Sequence, residues 1–137
     1  MPDIEALYKY LDEVHTKSFM WHTHDCFMFT NEAWDRMYGH GWAEDWTKRY
    51  VSDTGLYMKR DQLRREFGFN ELEEAVDSKL TRVNGIPPKG ALVTTNKVRH
   101  WVIKQAFGIS IGNKAAFVGK GGLKFIPIQH ITNAWIQ

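Results

Sequence analysis

The only cysteine of the chain, Cys26, lies in a segment that reads WHTHDCFMFTNEAW, residues 21–34. A thiolate is the reactive form of cysteine, and its pKa falls at a helix N-terminus, where the helix dipole and free N–H groups stabilise negative charge. Asp25 is a residue type that caps helices, so we expect a helix to begin at Cys26. This position suits a nucleophile, but the bare sequence favours a structural cysteine over a catalytic one.

A nucleophilic thiol needs a base close to it, and that base is normally a histidine. The chain offers six histidines: His15, His22, His24, His40, His100 and His130. Three side chains of the segment also suit a metal, because His22, His24 and Cys26 alternate and would share one face of an extended backbone. Imidazole and thiolate are ligands that Zn²⁺ prefers. No CxxC or HxxxH pattern accompanies them, so this zinc site is the weaker alternative, and no cofactor is predicted.

The composition indicates a single soluble globular domain of 137 residues, with 43% hydrophobic and 25% charged residues. Six Trp, eight Phe and five Tyr provide ample apolar area for a core. One cysteine cannot form an internal disulfide. No apolar run approaches the roughly 20 residues of a membrane span. The first residues, MPDIEALYKYLDEVH, lack the basic region of a signal peptide, so none is expected.

Charge is distributed very unevenly along the chain. Residues 1–77 contain all sixteen acidic residues and nine basic ones, a net charge of −7, whereas residues 78–137 contain nine basic residues and no acid, a net of +9. The asymmetry is consistent with two halves docking on each other, with copies packing head to tail, or with an anionic partner. Because the lysines are spread singly through apolar stretches, nucleic acid is the least favoured partner.

Hydrophobic spacing and capping residues predict helices in the first half. Ile4, Leu7, Leu11 and Val14 recur three and four residues apart, as on one face of a helix. A second helix is expected from Cys26 to Tyr38, ended by Gly39. Further helices are expected over residues 42–50, 54–67 and 70–80, the last opened by the capping-box pattern NELE.

The second half predicts an antiparallel sheet. After the turn region VNGIPPKG, strand-like runs cover residues 91–95, 100–104, 107–111, 115–118 and 123–128. Helices followed by a meander indicate an α+β domain over residues 1–137, mainly helical over 1–80 and mainly strands over 81–137. Helix packing on one sheet face is expected to bury six side chains: Leu92, Val102, Ile109, Ile111, Phe117 and Phe125.

Three segments resemble the NlpC/P60 cysteine peptidases. DCFMFTNEAW resembles the Asp-Cys-x-x-Phe segment that opens their catalytic helix, PPKGALVTT (87–95) resembles their Pro-x-x-Gly-Asp-Leu-Val strand, and FGISIGNKAAFVG (107–119) resembles their His-Val-Gly-Ile hairpin. The resemblance implies a papain-like α+β fold, in which N-terminal helices pack on a small antiparallel sheet and the cysteine begins a helix.

The same resemblance predicts a degenerate active site. Aligning Gly108-Ile109 with the family's Gly-Ile places Ala106 at the position of the catalytic histidine, and Ala91 replaces the aspartate of the strand. Alanine cannot accept a proton, and loss of a general base typically lowers a rate by roughly 10²–10⁴-fold. His100 and His24 are then the remaining candidate bases for Cys26, and the balance leans away from an enzyme.

The chain resembles most closely a group of small phage proteins related to NlpC/P60, whose genes lie among tail genes. The shared features are the early Asp-Cys-x-x-Phe, a middle Gly-x-Tyr-like stretch (here Lys48-Arg49-Tyr50 and Gly55) and a C-terminal pattern. That pattern is here Gly108-Ile109, Gly112, Gly122-Leu123, Ile126-Pro127 and Ala134-Trp135. This resemblance implies a virion structural protein of the tail or tail tip, present in multiple copies and bound to other tail proteins. The alternative is a cysteine peptidase or amidase that acts on peptidoglycan during cell entry.

Overall fold

The computed structural model describes residues 2–20, 24–44, 72–95 and 106–137. The helix predicted over residues 54–67, the strand predicted over 100–104 and most of the helix predicted over 42–50 lie outside these ranges. None of the described helices is long and apolar enough to cross a membrane.

Two helices form the N-terminal layer, as the spacing of apolar residues predicted. Helix α1 spans Ile4–Val14 and buries Leu7, Tyr10, Leu11 and Val14. Helix α2 spans Cys26–Tyr38; the Asp25 carboxylate caps it by accepting the Met28 N–H at 3.0 Å, and Gly39, with φ of 85°, ends it. The predicted start at Cys26 and end at Gly39 are confirmed. A short helix α3 spans Leu72–Asp77.

In the described part of the chain, six strands form one sheet in which every neighbouring pair is antiparallel, in the order β1-β6-β2-β3-β4-β5. A 3₁₀ turn, Ile128–His130, precedes the last strand. The α+β class is therefore confirmed. The strands are β1 (Thr81–Arg82), β2 (Leu92–Thr95), β3 (Ala106–Ser110), β4 (Lys114–Gly119), β5 (Gly122–Pro127) and β6 (Asn133–Ile136).

Strand β6 was not predicted, and it lies between β1 and β2 instead of following β5. Its Trp135 pairs with Leu92 on one side and with Arg82 on the other. Pairing with β1 and β2 joins residues some 40 to 55 positions apart, which local sequence patterns do not report. The meander predicted for the described strands is confirmed from β3 to β5.

Alternate side chains of the strands enter two separate clusters, because successive residues of a strand point to opposite faces. The helix-facing cluster contains strand residues packed against α1 and α2: Leu92, Phe107, Ile109, Ala116, Val118 and Trp135. The opposite-face cluster contains Ala91, Val93, Ala106, Ala115, Phe117 and Ala134. Both sets of side chains are buried, so both faces of the sheet are covered at its central strands.

The predicted set of helix-covered residues is correct for Leu92 and Ile109 and wrong for two others. Phe117 is buried in the opposite-face cluster, because it lies one residue out of phase with Ala116 and Val118. Phe125 remains 46% exposed on the edge strand β5. Ile111 is partly buried beside the helix-facing cluster, and Val102 lies outside the described residues.

The segment that follows α1 crosses the end of the β4–β5 hairpin. Phe19 donates its N–H to the Gly119 carbonyl at 3.0 Å, and Leu123 donates its N–H to the His15 carbonyl at 2.9 Å. Gly121 also donates its N–H to Ser18 Oγ at 3.0 Å. These bonds tie the connection between α1 and α2 to the sheet, and they hold the start of α2 over the strands.

Candidate functional site around Cys26

Cys26 is the first residue of α2, and its helix packs on β3. The side chain is only 1% exposed. The next residue, Phe27, packs against Phe107 of β3 with ring centroids 5.2 Å apart and the rings tilted by 41°. The predicted placement of the cysteine at a helix start facing the C-terminal hairpins is therefore correct, but the sulfur is covered by protein.

Burial decides the protonation state of this thiol. Burial, together with the nearby Asp25 carboxylate, raises the pKa of Cys26 from its ordinary 9.0 to about 12. The backbone N–H groups of Phe107, Cys26 and Phe27 act on the sulfur in the opposite direction. Desolvation outweighs the stabilisation that the helix N-terminus gives to a negative charge, because a buried thiolate loses its hydration by water. Cys26 is a neutral thiol at physiological pH.

The residue of β3 that faces Cys26 is Phe107, and not Ala106. Ala106 lies in the opposite-face cluster, while Phe107 lies in the helix-facing cluster together with Cys26. The expectation of a methyl group across from the sulfur was therefore wrong, because adjacent strand residues project to opposite faces. Neither alanine nor phenylalanine accepts a proton, so β3 supplies no base at either position.

The ring of Phe107 lies among three other aromatic rings. Phe107 lies 5.2 Å from Phe27, 5.5 Å from Trp42 and 6.4 Å from Trp135, measured between ring centroids. Phe27 also stacks on Trp42 at 6.2 Å. These separations are those of favourable aromatic pairs. We name the rings of Phe27, Trp42, Phe107 and Trp135 the aromatic cluster. The alternation of side chains along residues 106–110 is the sequence signal that would have placed Phe107 on this face.

Hydrogen bonds attach the segment after α2 to the same helix. Trp42 donates its indole N–H to Thr30 Oγ1 at 3.0 Å, and Thr30 donates its hydroxyl to the Cys26 carbonyl at 2.7 Å. Asn31 Oδ1 accepts the Ala43 N–H at 2.9 Å. The indole of Trp42 is thereby held against Phe27 and Phe107, in the same buried cluster as Cys26.

His24 is buried but makes no described contact with the sulfur. Its side chain is 2% exposed, its ring meets Phe29 edge-on at 6.0 Å between centroids, and its Nε2 has no hydrogen-bond partner among the described residues. Its backbone pairs with Met20 in both directions. Burial lowers the pKa of His24, Lys17 lowers it further, and Asp25 opposes them, so the imidazole is neutral near pH 7. The other candidate base, His100, lies outside the described residues.

The zinc alternative needs His22, His24 and Cys26 together. His22 lies outside the described residues, so this set stays a prediction. Over the ranges 2–20, 24–44, 72–95 and 106–137, no three His, Cys, Asp or Glu side chains are placed to hold a metal ion. Ala91, at the position of the family aspartate, is buried in the opposite-face cluster and accepts the Ser110 N–H through its carbonyl.

A family model described as a domain of unknown function, DUF6950, matches residues 1–136. The chain belongs to the DUF6950 family. No curated protein matches it, and no solved structure matches it. The match extends from α1 through β6, so the two helices and the sheet belong to one family unit.

In this DUF6950 member, the described part of the site holds a protonated thiol beneath aromatic rings. Attack on a carbonyl requires a thiolate and space for the substrate beside the sulfur. The described residues provide neither, since the thiol pKa is raised to about 12 and the side chain is almost fully covered. The arrangement is that of a packed core around a helix start.

Proposed function

We propose that this chain is a structural protein of a phage virion, in the tail or tail tip, that uses a papain-like, NlpC/P60-related scaffold to bind other tail proteins. The observation that carries the non-catalytic part is the burial of Cys26 beneath Phe107. A residue that cannot accept a proton occupies the strand position facing the sulfur. The virion assignment is supported by the C-terminal pattern that resembles small phage tail proteins.

The scaffold relationship is supported by the placement of Cys26. A cysteine as the first residue of a helix that packs on an antiparallel sheet is the arrangement expected of the papain-like fold. Here an aromatic side chain, Phe107, occupies the helix-facing position of β3, the strand on which an NlpC/P60 peptidase would carry its base. Conversion of a catalytic position to a core position stabilises the domain, because each buried aromatic side chain removes much apolar area from water.

Assembly with other proteins is supported by the charge of the two halves. The acidic N-terminal half and the basic C-terminal half carry net charges of −7 and +9. Complementary patches of this kind guide docking and set the orientation of partners. Multiple copies, each contacting neighbours through opposite charges, fit a tail structure built from repeated subunits.

One observation favours the alternative, a cysteine peptidase or amidase acting on peptidoglycan. The N–H groups of Phe107 and Phe27 act on the sulfur of Cys26, as donors around a catalytic thiol would. This function requires a base from outside the described residues, for which His100 is the candidate, and it requires the aromatic cluster to open.

Incubation of the purified protein with peptidoglycan tests the non-catalytic assignment. We expect the wild type and Cys26→Ala to release no more soluble muropeptide than buffer. Release by the wild type that both Cys26→Ala and His100→Ala abolish would establish the hydrolase instead. The virion assignment is tested by quantitative mass spectrometry of purified particles and separated tails. We expect the chain in the tail fraction at several copies per particle; its absence from particles would overturn the assignment.

A further inference from the structure

A cleft of about 290 Å³ lies at the opposite end of α2 from Cys26. It forms where the N-terminus, the end of α2, the 88–91 loop and the end of β6 meet. Tyr38 is twelve residues along α2 from Cys26, which places the cleft about 18 Å from the thiol at 1.5 Å per helical residue. Its lining includes Pro2, Tyr38, Pro88, Lys89 and Ile136.

Hydrogen bonds hold the walls of this cleft in place. Asp3 donates its N–H to the Met37 carbonyl at 3.1 Å, which joins the N-terminus to the end of α2. Gly90 donates its N–H to the Ser110 carbonyl at 2.8 Å, which joins the 88–91 loop to β3. The cleft is therefore already formed without a ligand, as binding sites usually are.

Exposed apolar side chains lie in the segments that form or adjoin the cleft. Tyr8 is 42% exposed, Ile86 81% and Ile136 36%, and they are three of the five large hydrophobic side chains that are exposed in the described ranges. Ile136 lines the cleft, Tyr8 contacts Lys89 at its rim, and Ile86 belongs to the loop that leads to Pro88. Exposed apolar groups that converge on a concave site mark an interaction surface.

One positively charged side chain, that of Lys89, lines the cleft. Lys89 Nζ lies 5.9 Å from the centroid of the Tyr8 ring, within the range of a cation–π contact, which keeps the ammonium group beside the apolar wall. Of the described residues that line the cleft, none is acidic. An occupant that places a carboxylate next to a bulky apolar side chain would match both properties of the cleft.

We propose that this cleft binds an extended acidic segment of another protein of the assembly, with an apolar side chain between Tyr38 and Ile136 and a carboxylate on Lys89. The proposal rests on the proposed role in assembly and names the surface and the partner chemistry. It assigns a binding site to the end of the molecule remote from the cysteine, so the two ends are tested independently.

The test uses the full chain labelled with ¹⁵N and a defined probe peptide, acetyl-Gly-Leu-Asp-Glu-Leu-Gly-amide, with its Asn-Gln analogue as the uncharged control. Titration is followed by backbone amide shifts. We expect the shift changes to concentrate at Lys89 and Ile136, and we expect the analogue to bind more weakly. Lys89→Glu should weaken binding by about fivefold or more, whereas Lys124→Glu, the same change at an exposed lysine of β5, should leave it unchanged.

Several outcomes would overturn the proposal. These are shift changes away from the cleft, equal binding of the two peptides, equal loss in the two lysine variants, or no binding at millimolar peptide. Sedimentation of the free protein is run alongside; self-association that Lys89→Glu abolishes would assign the cleft to a second copy of the chain instead. An inert Cys26 and tail localisation would still support the proposed function if the peptide failed, which separates the two conclusions.

Discussion

The reactivity of Cys26 toward a thiol reagent is the sharpest prediction from this structure. Folding raises its pKa from 9.0 to about 12, so at pH 7.5 the folded protein holds about 1000-fold less thiolate than the unfolded chain. A more basic thiolate is intrinsically more nucleophilic, and a Brønsted slope of about 0.45 returns roughly 20-fold of this loss. The protonation state alone therefore slows labelling by about 50-fold, and coverage of the sulfur slows it further.

The assay measures iodoacetamide labelling of the single cysteine at pH 7.5, in buffer and in denaturant, by intact-mass spectrometry. Asp25→Asn provides a matched variant: the amide can still cap α2, while loss of the carboxylate charge lowers the pKa of Cys26, so labelling should be faster than in the wild type. Labelling of the native protein within about fivefold of the unfolded rate, or rapid labelling at pH 6, would refute the argument that burial controls the thiol.

Three further predictions concern stability. Because the thiol pKa is raised on folding, Cys26 stabilises the fold below about pH 9, and this contribution falls by about 1.4 kcal/mol per pH unit toward pH 12. The free energy of unfolding, measured in urea from pH 8 to 10, should therefore decline more steeply for the wild type than for Cys26→Ala. Phe107→Ala should cost about 3–5 kcal/mol in the same assay, and Phe125→Ala, at an exposed position, about 0.5 kcal/mol; similar losses would show that the aromatic cluster is not a core. Thr30→Val removes the acceptor of the Trp42 indole and should cost about 1–3 kcal/mol, while Thr30→Ser should retain most of the stability; urea unfolding followed by tryptophan fluorescence distinguishes them.

Local chemistry was sufficient to predict the described helices. The start of α2 follows from Asp25, whose carboxylate accepts an N–H three residues along the chain, and its end follows from Gly39, which adopts a left-handed conformation. The apolar face of α1 follows from spacing alone. Strands β2 to β5 were placed within a residue or two, because turn residues bound each of them.

Positions of strands relative to one another could not be predicted in the same way. The location of β6 between β1 and β2 depends on pairings such as Trp135 with Leu92, which are distant in the chain. The face of each β3 residue depends on the phase of the strand, and a shift of one residue exchanges the two faces. Phe107, instead of Ala106, lies against the helix because it shares the face of Ile109, whose position against the helices was predicted correctly.

The sequence was enough to establish that one cysteine begins a capped helix, that helices precede an antiparallel sheet, and that charge divides between two halves. It could not establish whether that cysteine is a nucleophile. The tertiary structure decided the protonation state of that thiol, because its pKa depends on how much water remains around it. Cys26 lies buried in a cluster with Phe27, Trp42 and Phe107, which folding brings together from separate segments.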